Sequence, residues 1–547
     1  MDKIQSFLLI TLMFLGLLIW QAWQNDYPER TKISADSSQI EIITSPPDQV
    51  AQEKDVPELV PPTSAHKTIQ PPFETDHADD NKQVVAETDT LKLAIGKKGA
   101  SLNSVLLKEY PITLDEPEPL LFLGTRGQTQ FLYQGGVFGE SELPTHHSNF
   151  EAPSSFYQLQ GGENELSVPF RWQGKGLDIT KTFRLTRGSY LIDVEYRIKN
   201  QSVGAVKVHH YEQFKRTKES SYNGLVYTFT GAIFSTPESR FRKFDFDDLE
   251  ERPIDQTALD SWIGNMQHYF VAALIPPRNS SARYYSKILD PMTYTVGYVS
   301  PGTTVEPGAS IALTGQIFAG PKKQDILKEI APGLDLSVDY GMLWFLAKPL
   351  FITLRSIYSI TNNWGFAIVL LTILIKLIFY PLSAAGYKSM AKLRKVHPKM
   401  IALKERFSDD KAQLNQAMMK LYKEEKINPL GGCFPILIQI PVFIALYWVL
   451  LETVEIRQAP FIFWITDLSS KDPFFVLPLL MGISMWFQQK LNPAPVDPVQ
   501  AKVMQFLPII FTGFFAFFPS GLVLYWVANN VLSIIQQWRI TSQLEDK

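Results

Sequence analysis

Apolar residues follow three different patterns along the chain, and each pattern predicts a different kind of element. The first is an uncharged run at 7–20, which is preceded by Lys3 and followed by Trp23. No small-x-small cleavage site comes after it, and tryptophans are typical of a membrane interface. We therefore favour an uncleaved transmembrane anchor over 1–24, with a cleaved signal peptide as the alternative.

The next segment, 25–90, is polar and rich in proline. It holds eight prolines, 14 acidic residues and five basic residues, which gives a net charge of −9. Such a segment has too few apolar residues to bury a core of its own. We predict a disordered acidic linker that acts as an extended tether.

The second pattern is a period of two between 91 and 320. In its clearest examples, at 190–198 and 292–298, large apolar residues occupy every second position. Such alternation, bounded by Gly, Pro, Asn and Ser, is typical of half-buried antiparallel strands. Because no strong helix–strand alternation occurs, 91–320 is predicted to form one large β-sandwich.

The third pattern is helical and begins at 321. Residues 321–361 are predicted to form a linker and an amphipathic interfacial helix, since Lys348 and Arg355 interrupt the apolar run. One span is then predicted within 362–382 and four more within 429–540. The fold class predicted is a polytopic α-helical membrane protein with an N-terminal anchor, a five-helix core bundle and a large all-β domain. The candidate spans lie at about 364–382, 432–451, 473–490, 503–518 and 521–538.

Charge predicts the orientation of these spans. The loop at 383–428 carries 11 basic and five acidic residues, whereas the loop at 452–472 carries two basic and four acidic residues. The positive-inside rule places the first loop in the cytoplasm and the second outside. Both termini, including the short tail at 541–547, are then cytoplasmic, and in a bacterium the β domain is periplasmic.

The cytoplasmic loop is predicted to be a basic helical hairpin. Apolar residues recur at three- or four-residue steps over 390–407 and again over 414–421, and Asp409 or Asp410 can cap the second helix. The basic face either contacts anionic lipid or docks to ribosomal RNA or a nascent chain, and the residues alone leave both open. The predicted docking residues are Lys388, Lys392, Arg394, Lys395 and Lys399.

Composition and motifs exclude several classes of function. A net charge of −3 is not the positive excess of a DNA-binding protein. The single cysteine, Cys433, excludes an intramolecular disulfide and a cysteine-based zinc cluster, and no Walker A, HExxH or GxSxG motif occurs. His210 and Glu212 can share a strand face, an arrangement that also occurs in sugar enzymes. We predict a protein that is not an enzyme and needs no cofactor.

Lys376 is the most informative residue of the candidate spans. It lies in an apolar stretch, and none of the five spans contains an Asp or Glu that could pair with it. Its ammonium either extends along the helix to the interface or lies in a water-filled cavity lined by other polar side chains. The lack of intramembrane acids argues against a proton-coupled transporter. The polar candidates are Thr372, Gln439, Gln488, Gln489, Asn529, Asn530, Gln536 and Gln537.

Three sequence blocks resemble the YidC/Oxa/Alb insertase family, in its Gram-negative form with a large periplasmic domain. They are Asn-Trp-Gly-Phe at 363–366, the block at 428–435 that continues through Gln439 and Phe443, and Phe-Pro-Ser-Gly at 518–521 with the four residues after it. The resemblance implies a periplasmic β-supersandwich and five helices around a hydrophilic groove that is open to the cytoplasm and lipid. It also implies insertion and folding of nascent membrane proteins in the inner membrane, alone or with the Sec translocon, without nucleotide or metal.

The resemblance also implies roles for single residues. The family has a groove arginine where this chain has Lys376, which keeps the charge but loses bidentate recognition. Ile440 and Phe443 fall on the helix that forms a hydrophobic slide for the substrate. The chain lacks the family's basic tail, which leaves the hairpin as the candidate ribosome contact. The predicted groove and substrate contacts are Thr372, Gln439, Gln489, Tyr525, Trp526 and Asn529.

Two rival functions remain at this stage. A secondary transporter or channel would conduct a solute and would need an acid–base network in the membrane, which the spans lack. A membrane-tethered carbohydrate-binding β domain would bind sugar without the spans, and a sandwich fold alone would not decide that question.

Overall fold

The computed structural model describes residues 55–57, 83–115, 117–140, 142–218, 228–407, 410–425, 434–492 and 498–545. They form two compact units. The β unit comprises Ala51–Val338 and Glu452–Glu455, and the helical unit comprises Asp339–Leu451 and Ile456–Lys547. The predicted anchor at 1–24 and most of the predicted linker at 25–90 lie outside the described residues.

The β unit consists of two sheets that face each other, with eleven and eight strands among the described residues. Sheet I has the order β13-β16-β17-β10-β5-β4-β3-β2-β1-β6, and β18 also pairs with β10; sheet II has the order β12-β11-β14-β15-β19-β9-β8-β7. All pairs are antiparallel except β1 with β6. The strands are β1 Gln83–Glu87, β2 Leu91–Gly96, β3 Ser101–Pro111, β4 Pro119–Arg126, β5 Thr129–Gly139, β6 Phe156–Gln158, β7 Glu165–Gly174, β8 Leu177–Thr186, β9 Leu191–Asn200, β10 Val206–Thr217, β11 Gly231–Ser235, β12 Arg242–Phe244, β13 Asp255–Leu259, β14 Trp262–Met266, β15 Phe270–Ile275, β16 Ser281–Asp290, β17 Thr293–Val299, β18 Thr303–Val305 and β19 Ser310–Pro321.

The predicted β-sandwich is confirmed, and two of its details need correction. In β9 every second residue from Ile192 to Ile198 is buried, as the period of two predicts. In β17, however, all seven residues are buried, because the strand lies between β10 and β16 and is covered on both faces. The first strand also begins at Gln83, inside the predicted linker, because Val84 and Ala86 alternate into the core.

A second part of the predicted linker also belongs to the β unit. Val56 packs against Tyr211, Tyr285 and Val299. These three residues lie on β10, β16 and β17, on the face of sheet I that points away from sheet II. Residues 55–57 are therefore a docked segment, which the net charge of the linker gave no reason to expect.

The helical unit has a helix at or near each of the five predicted spans, and whether these helices cross a membrane stays a prediction. Its exposed surface is rich in large apolar side chains, such as Leu479, Phe487, Ile509 and Ile535, as expected of helices that face lipid. The helices among the described residues are α1 Phe246–Glu251, α2 Gln324–Ile330, α3 Trp344–Thr361, α4 Trp364–Ile378, α5 Tyr380–Arg406, α6 Lys411–Glu424, α7 Phe434–Glu452, α8 Val476–Leu491, α9 Pro498–Phe515 and α10 Ser520–Glu545, with short 3-10 turns at Leu334–Ser337, Gly341–Leu343 and Val454–Ile456.

The lengths of these helices are uneven. Among the described residues, Gly341–Thr361 is the one helix long and apolar enough to cross a membrane by itself. The pair α4 and α5 passes the same test only together, with a bend of 69° between them. The interfacial position predicted for 321–361 therefore stays a prediction, and the span predicted to reach 382 ends as a straight helix at Ile378.

The described part of the basic loop at 383–428 folds as the predicted helical hairpin. Val396 and Met400 on α5 pack against Leu421 on α6, with Leu393 and Met418 beside them. The side chain of Asp410 accepts a hydrogen bond from the backbone N–H of Gln413 at 2.9 Å and caps α6, whereas Asp409 lies outside the described residues. The apolar stripe thus forms the seam between the two helices.

Candidate functional site

Lys376 lies in the last turn of α4 with its side chain buried between helices. The side chain is 7% exposed. Its Nζ donates a hydrogen bond to Ser533 Oγ on α10 at 2.7 Å and to Gln439 Oε1 on α7 at 3.4 Å. Both partners are neutral. The ammonium thus points into the bundle rather than along α4, so the interpretation in which it extends to the interface is wrong.

Further polar contacts extend the surroundings of Lys376. Gln439 Nε2 donates to Asn529 Oδ1, and the Ser533 hydroxyl donates to the Asn529 carbonyl at 2.7 Å. Gln536 Nε2 donates to the backbone carbonyl of Lys376 at 3.5 Å. We call these five residues, Lys376, Gln439, Asn529, Ser533 and Gln536, the polar cluster. It joins α4, α7 and α10.

A small cavity lies beside the polar cluster. Its volume is about 20 Å³, and its polar wall includes Lys376, Ser383, Gln439 and Asn529. A volume of that size holds about one water molecule when two or more polar groups can bond to it. The ammonium therefore borders a site that can be hydrated, although the space is far too small for a polypeptide.

Two predicted contact residues have partners outside the polar cluster. The Thr372 hydroxyl is 1% exposed and donates to the backbone carbonyl of Ile368 at 2.7 Å. Gln489 Nε2 on α8 donates to the backbone carbonyl of Met504 on α9. The structure thus uses Thr372 within its own helix and Gln489 to join two helices, and their roles in substrate contact stay predictions.

Sequence reasoning missed Ser533, the nearest partner of Lys376. A single serine in an apolar helix is common, so its residue type carried no signal. Its position in the sequence was informative, because Asn529 and Ser533 are four residues apart and share one face of α10. Other polar residues of α10 contact α8 and the residue after it. Asn530 Nδ2 donates a hydrogen bond to Ser484 Oγ at 3.0 Å, and Gln537 Nε2 donates one to Asn492 Oδ1 at 3.0 Å.

An aromatic group lies on α7 and α10 near the polar cluster. The ring of Phe443 lies 4.6 Å from that of Trp526 in an edge-to-face arrangement and 6.1 Å from that of Tyr525. Tyr525 is buried, whereas Ile440, Phe443 and Trp526 are partly exposed. The predicted slide residue Phe443 therefore lies next to the predicted contact Trp526, and both, like Ile440, are partly accessible.

The family-like blocks fix the ends of helices. Asn363 Oδ1 accepts a hydrogen bond from the Phe366 N–H at 3.1 Å and caps α4, and Asn363 Nδ2 donates to the carbonyl of Phe461 at 3.0 Å. At the start of α10, the N–H groups of Ser520 and Gly521 donate to Ser470 and Leu468 at 2.7 and 2.9 Å. Residues 428–433 lie outside the described residues.

The five predicted docking residues of the hairpin are all exposed. Lys399 pairs with Glu425 on the other side of the hairpin at 2.6 Å. An exposed pair of this kind adds little stability, so the basic face stays accessible to an anionic partner.

His210 and Glu212 are too deeply buried to bind a sugar. They are 1% and 0% exposed, and His210 Nε2 lies 3.4 Å from Glu212 Oε1. Glu212 also accepts a hydrogen bond from the Tyr133 hydroxyl at 3.2 Å. The pair belongs to the core between the two sheets, which removes the sequence-based argument for a sugar enzyme.

Comparisons with known proteins match both units. Residues 356–547 match the family model described as 60Kd inner membrane protein, and residues 83–353 match the one described as YidC periplasmic domain. A protein named membrane protein insertase YidC from Methylococcus capsulatus is 43% identical over 100% of this chain and 99% of its own length. The chain belongs to the YidC family.

The chain is also similar to other YidC proteins. One from Nitrosococcus oceani is 44% identical over 100% of both chains. A crystal structure described as active YidC insertase with the first transmembrane domain resolved is 20% identical and covers 83% of this chain and 92% of that chain, with a TM-score of 0.40. The model described as YidC periplasmic domain covers most of the β unit, and the one described as 60Kd inner membrane protein covers most of the helical unit.

Proposed function

We propose that this chain is a membrane protein insertase of the bacterial inner membrane, whose substrates are nascent membrane proteins. The observation that carries the proposal is the buried Lys376 ammonium with its neutral partners Ser533 and Gln439. The full-length relatives named membrane protein insertase support it. The role is one of transport and folding rather than of a chemical reaction.

The polar cluster lowers the barrier for the polar part of a substrate. A charged side chain at the centre of a helix in a bilayer costs about 2.5–3.5 kcal/mol on insertion scales. We propose that the cluster becomes one wall of a hydrated groove, in which Lys376 attracts acidic residues of a short translocated tail. A lysine supplies charge without the planar fork of arginine, so attraction rather than bidentate binding is the function we assign.

The apolar part of the substrate would supply the driving force. Ile440, Phe443 and Trp526 offer an accessible apolar surface next to the polar cluster. A substrate helix can move along it and leave sideways into lipid, where its burial is worth about 25 cal/mol per Å² of apolar surface. Such a mechanism does not require nucleotide hydrolysis.

The proposal also includes the ribosome and the Sec translocon as partners, and the orientation of the protein in the membrane. The basic face of the hairpin would dock to the ribosome or a nascent chain in the cytoplasm, where both termini would also lie. The β unit would be periplasmic, and the protein would act alone or with the Sec translocon. Co-sedimentation with ribosomes tests the docking, which would be contradicted if exchanging Lys388, Lys392 and Lys395 for Glu left it unchanged.

Reconstitution tests the central step. Proteoliposomes containing only this protein receive a short single-span substrate with an acidic translocated tail. We expect Lys376→Ala to lower insertion at least tenfold and Lys376→Arg to retain it, because the charge is what acts. Lys490→Ala is the matched control, since Lys490 is an exposed lysine near the end of α8 and should not matter.

Two outcomes would contradict the proposal. If folded Lys376→Ala inserts the acidic substrate as well as wild type does, the buried charge is not functional. If folded wild type inserts none of several substrates, autonomous insertion is wrong and a Sec-dependent chaperone is left. Solute flux through the same vesicles would instead favour the transporter or channel.

A further inference from the structure

Three potential metal ligands meet on the outer face of sheet I. Asp55 Oδ2 lies 3.1 Å from His146 Nε2, and Asp55 Oδ1 lies 2.7 Å from His147 Nε2. One ligand atom from each residue can be chosen so that all three lie within 4.8 Å of one another. Among the described residues, this is the one group of three His, Cys, Asp or Glu side chains with that property.

The fold fixes the orientation of the His146 ring, because each of its two nitrogens faces a different residue. The residue follows β5, and Gly99, with a φ of +71°, lets the backbone of His146 approach where a Cβ would collide with its carbonyl oxygen. The Tyr211 hydroxyl accepts a hydrogen bond from the His146 backbone N–H at 3.1 Å and lies 2.6 Å from His146 Nδ1. Nδ1 therefore faces Tyr211, and Nε2 faces Asp55. Orientation of a histidine ligand through its second nitrogen is typical of metal sites.

Asp55 is positioned by a separate set of contacts. Gln213 Nε2 donates to the backbone carbonyl of Asp55 at 3.0 Å, and the Tyr285 hydroxyl donates to Gln213 Oε1 at 2.6 Å. Val56 packs against Tyr211 and Tyr285. The carboxylate is thus brought to the two histidines by a chain segment 91 positions away from His146, and not by chance proximity in sequence.

We infer that Asp55, His146 and His147 bind one Zn²⁺ ion. Two imidazole nitrogens and one carboxylate are a ligand set that zinc uses, with bonds of about 2.0–2.2 Å that place neighbouring ligand atoms about 3.3 Å apart. The two histidine Nε2 atoms lie 2.7 and 3.1 Å from the two different oxygens of Asp55, so the ligand atoms must separate by a few tenths of an ångström to admit the ion. Nitrogen ligands favour zinc over Mg²⁺ and Ca²⁺, which take oxygen ligands.

The fourth position of the ion is available to water. The side chains of Asp55 and His147 are 15% and 28% exposed, whereas that of His146 is 1% exposed. The ion would bind the buried His146 on its protein side and would be open to solvent on its other side. By binding only the folded form, it would fasten residues 55–57 to sheet I and stabilise the β unit.

Zinc titration of the full-length protein in detergent tests the inference. The protein carries a tag without histidine, is treated with chelator, and is titrated with Zn²⁺ against a fluorescent chelator of known affinity. We expect one tight site per chain, and an affinity at least tenfold lower in both Asp55→Asn and His147→Ala. His268→Ala is the matched control, since this histidine lies in the same unit outside the cluster and should leave the affinity unchanged.

X-ray absorption spectroscopy distinguishes a bound zinc ion from a cluster that is held by hydrogen bonds alone. X-ray absorption at the zinc edge should show two imidazole ligands and oxygen neighbours in wild type, and fewer imidazoles in His147→Ala, whose partly exposed side chain can be removed without opening the core. The inference would be overturned if no saturable site is found. It would equally be overturned if wild type, Asp55→Asn and His147→Ala bind Zn²⁺ alike.

Discussion

Two buried lysines, Lys181 and Lys376, have different hydrogen-bond partners. Lys181 is fully buried, and its Nζ donates to the carbonyls of Gly99, Ala100 and Gly135 at 3.1, 2.8 and 3.3 Å. When Lys181 is protonated, its three N–H donors match these three carbonyl acceptors. Lys376 instead bonds a hydroxyl and an amide oxygen and borders a cavity. Of these two lysines, only Lys376 borders space in which its ammonium could exchange a hydrogen-bond partner for water or a substrate group.

Lys181 makes stability depend on pH in a way that can be measured. Burial lowers its pKa from 10.5 to about 7, although the charge of Glu212 acts in the opposite direction. Between pH 7 and 10.5 the unfolded chain therefore binds a proton that the folded chain does not. The free energy of unfolding should rise with pH there, by up to about 1.4 kcal/mol per pH unit. We expect Lys181→Met to remove that rise.

Unfolding of the β unit, followed by near-ultraviolet circular dichroism at pH 7, 8 and 9, checks this prediction. Exposed Lys175 offers the control, since Lys175→Met should keep the wild-type slope. Equal slopes in wild type and Lys181→Met would show that Lys181 stays charged when folded.

The elements show which features a sequence pattern can reveal. Periodicity located the strands, the hairpin seam and the order of the helices, because burial on one face repeats with the geometry of each element. It could not show that Thr293 and Thr295 of β17 are buried, since that depends on the neighbouring strands β10 and β16. Lys376 could be recognised from the sequence because a charge in an apolar span is unusual. Its partner Ser533 could not, because the pairing depends on how α4 packs against α10.

The start of α4 gives a prediction about packing between an element and a loop. A Cβ at Gly365 would overlap the ring of Phe461, near the ring's attachment rather than at its tip. We expect Gly365→Ala to destabilise the helical unit by about 1–3 kcal/mol, as overpacking does in other cores. In α9, nothing lies within 4 Å of a Cβ at Gly513, so Gly513→Ala should be neutral or stabilising by about 0.5–1 kcal/mol.

Thermal unfolding in detergent distinguishes these two glycines. Gly365→Ala should lower the midpoint while Gly513→Ala does not, and the additional change Phe461→Ala should cost less in the Gly365→Ala background than in wild type. Similar midpoints for both single variants would mean that Phe461 moves aside without cost.

At the scale of the whole molecule, the candidate site is confined to one of the two units. The polar cluster and the slide residues lie on α4, α7 and α10, all within the helical unit. The β unit has its own core, including the buried residues of β9 and β17, and its own candidate metal site. Physical coupling between insertion and the β unit is therefore not needed for the mechanism that we propose.

Deletion of 25–320 tests that separation. The boundary keeps Lys322, which is fully buried and pairs with Glu452 at 2.9 Å, so the ion pair at the end of α7 is retained. We expect the shortened protein to insert the single-span substrate into proteoliposomes within about threefold of the wild-type rate, and to lose insertion when Lys376→Ala is added. Loss of insertion by the deletion alone, in a protein whose helices remain folded, would instead make the β unit a working part of the insertase.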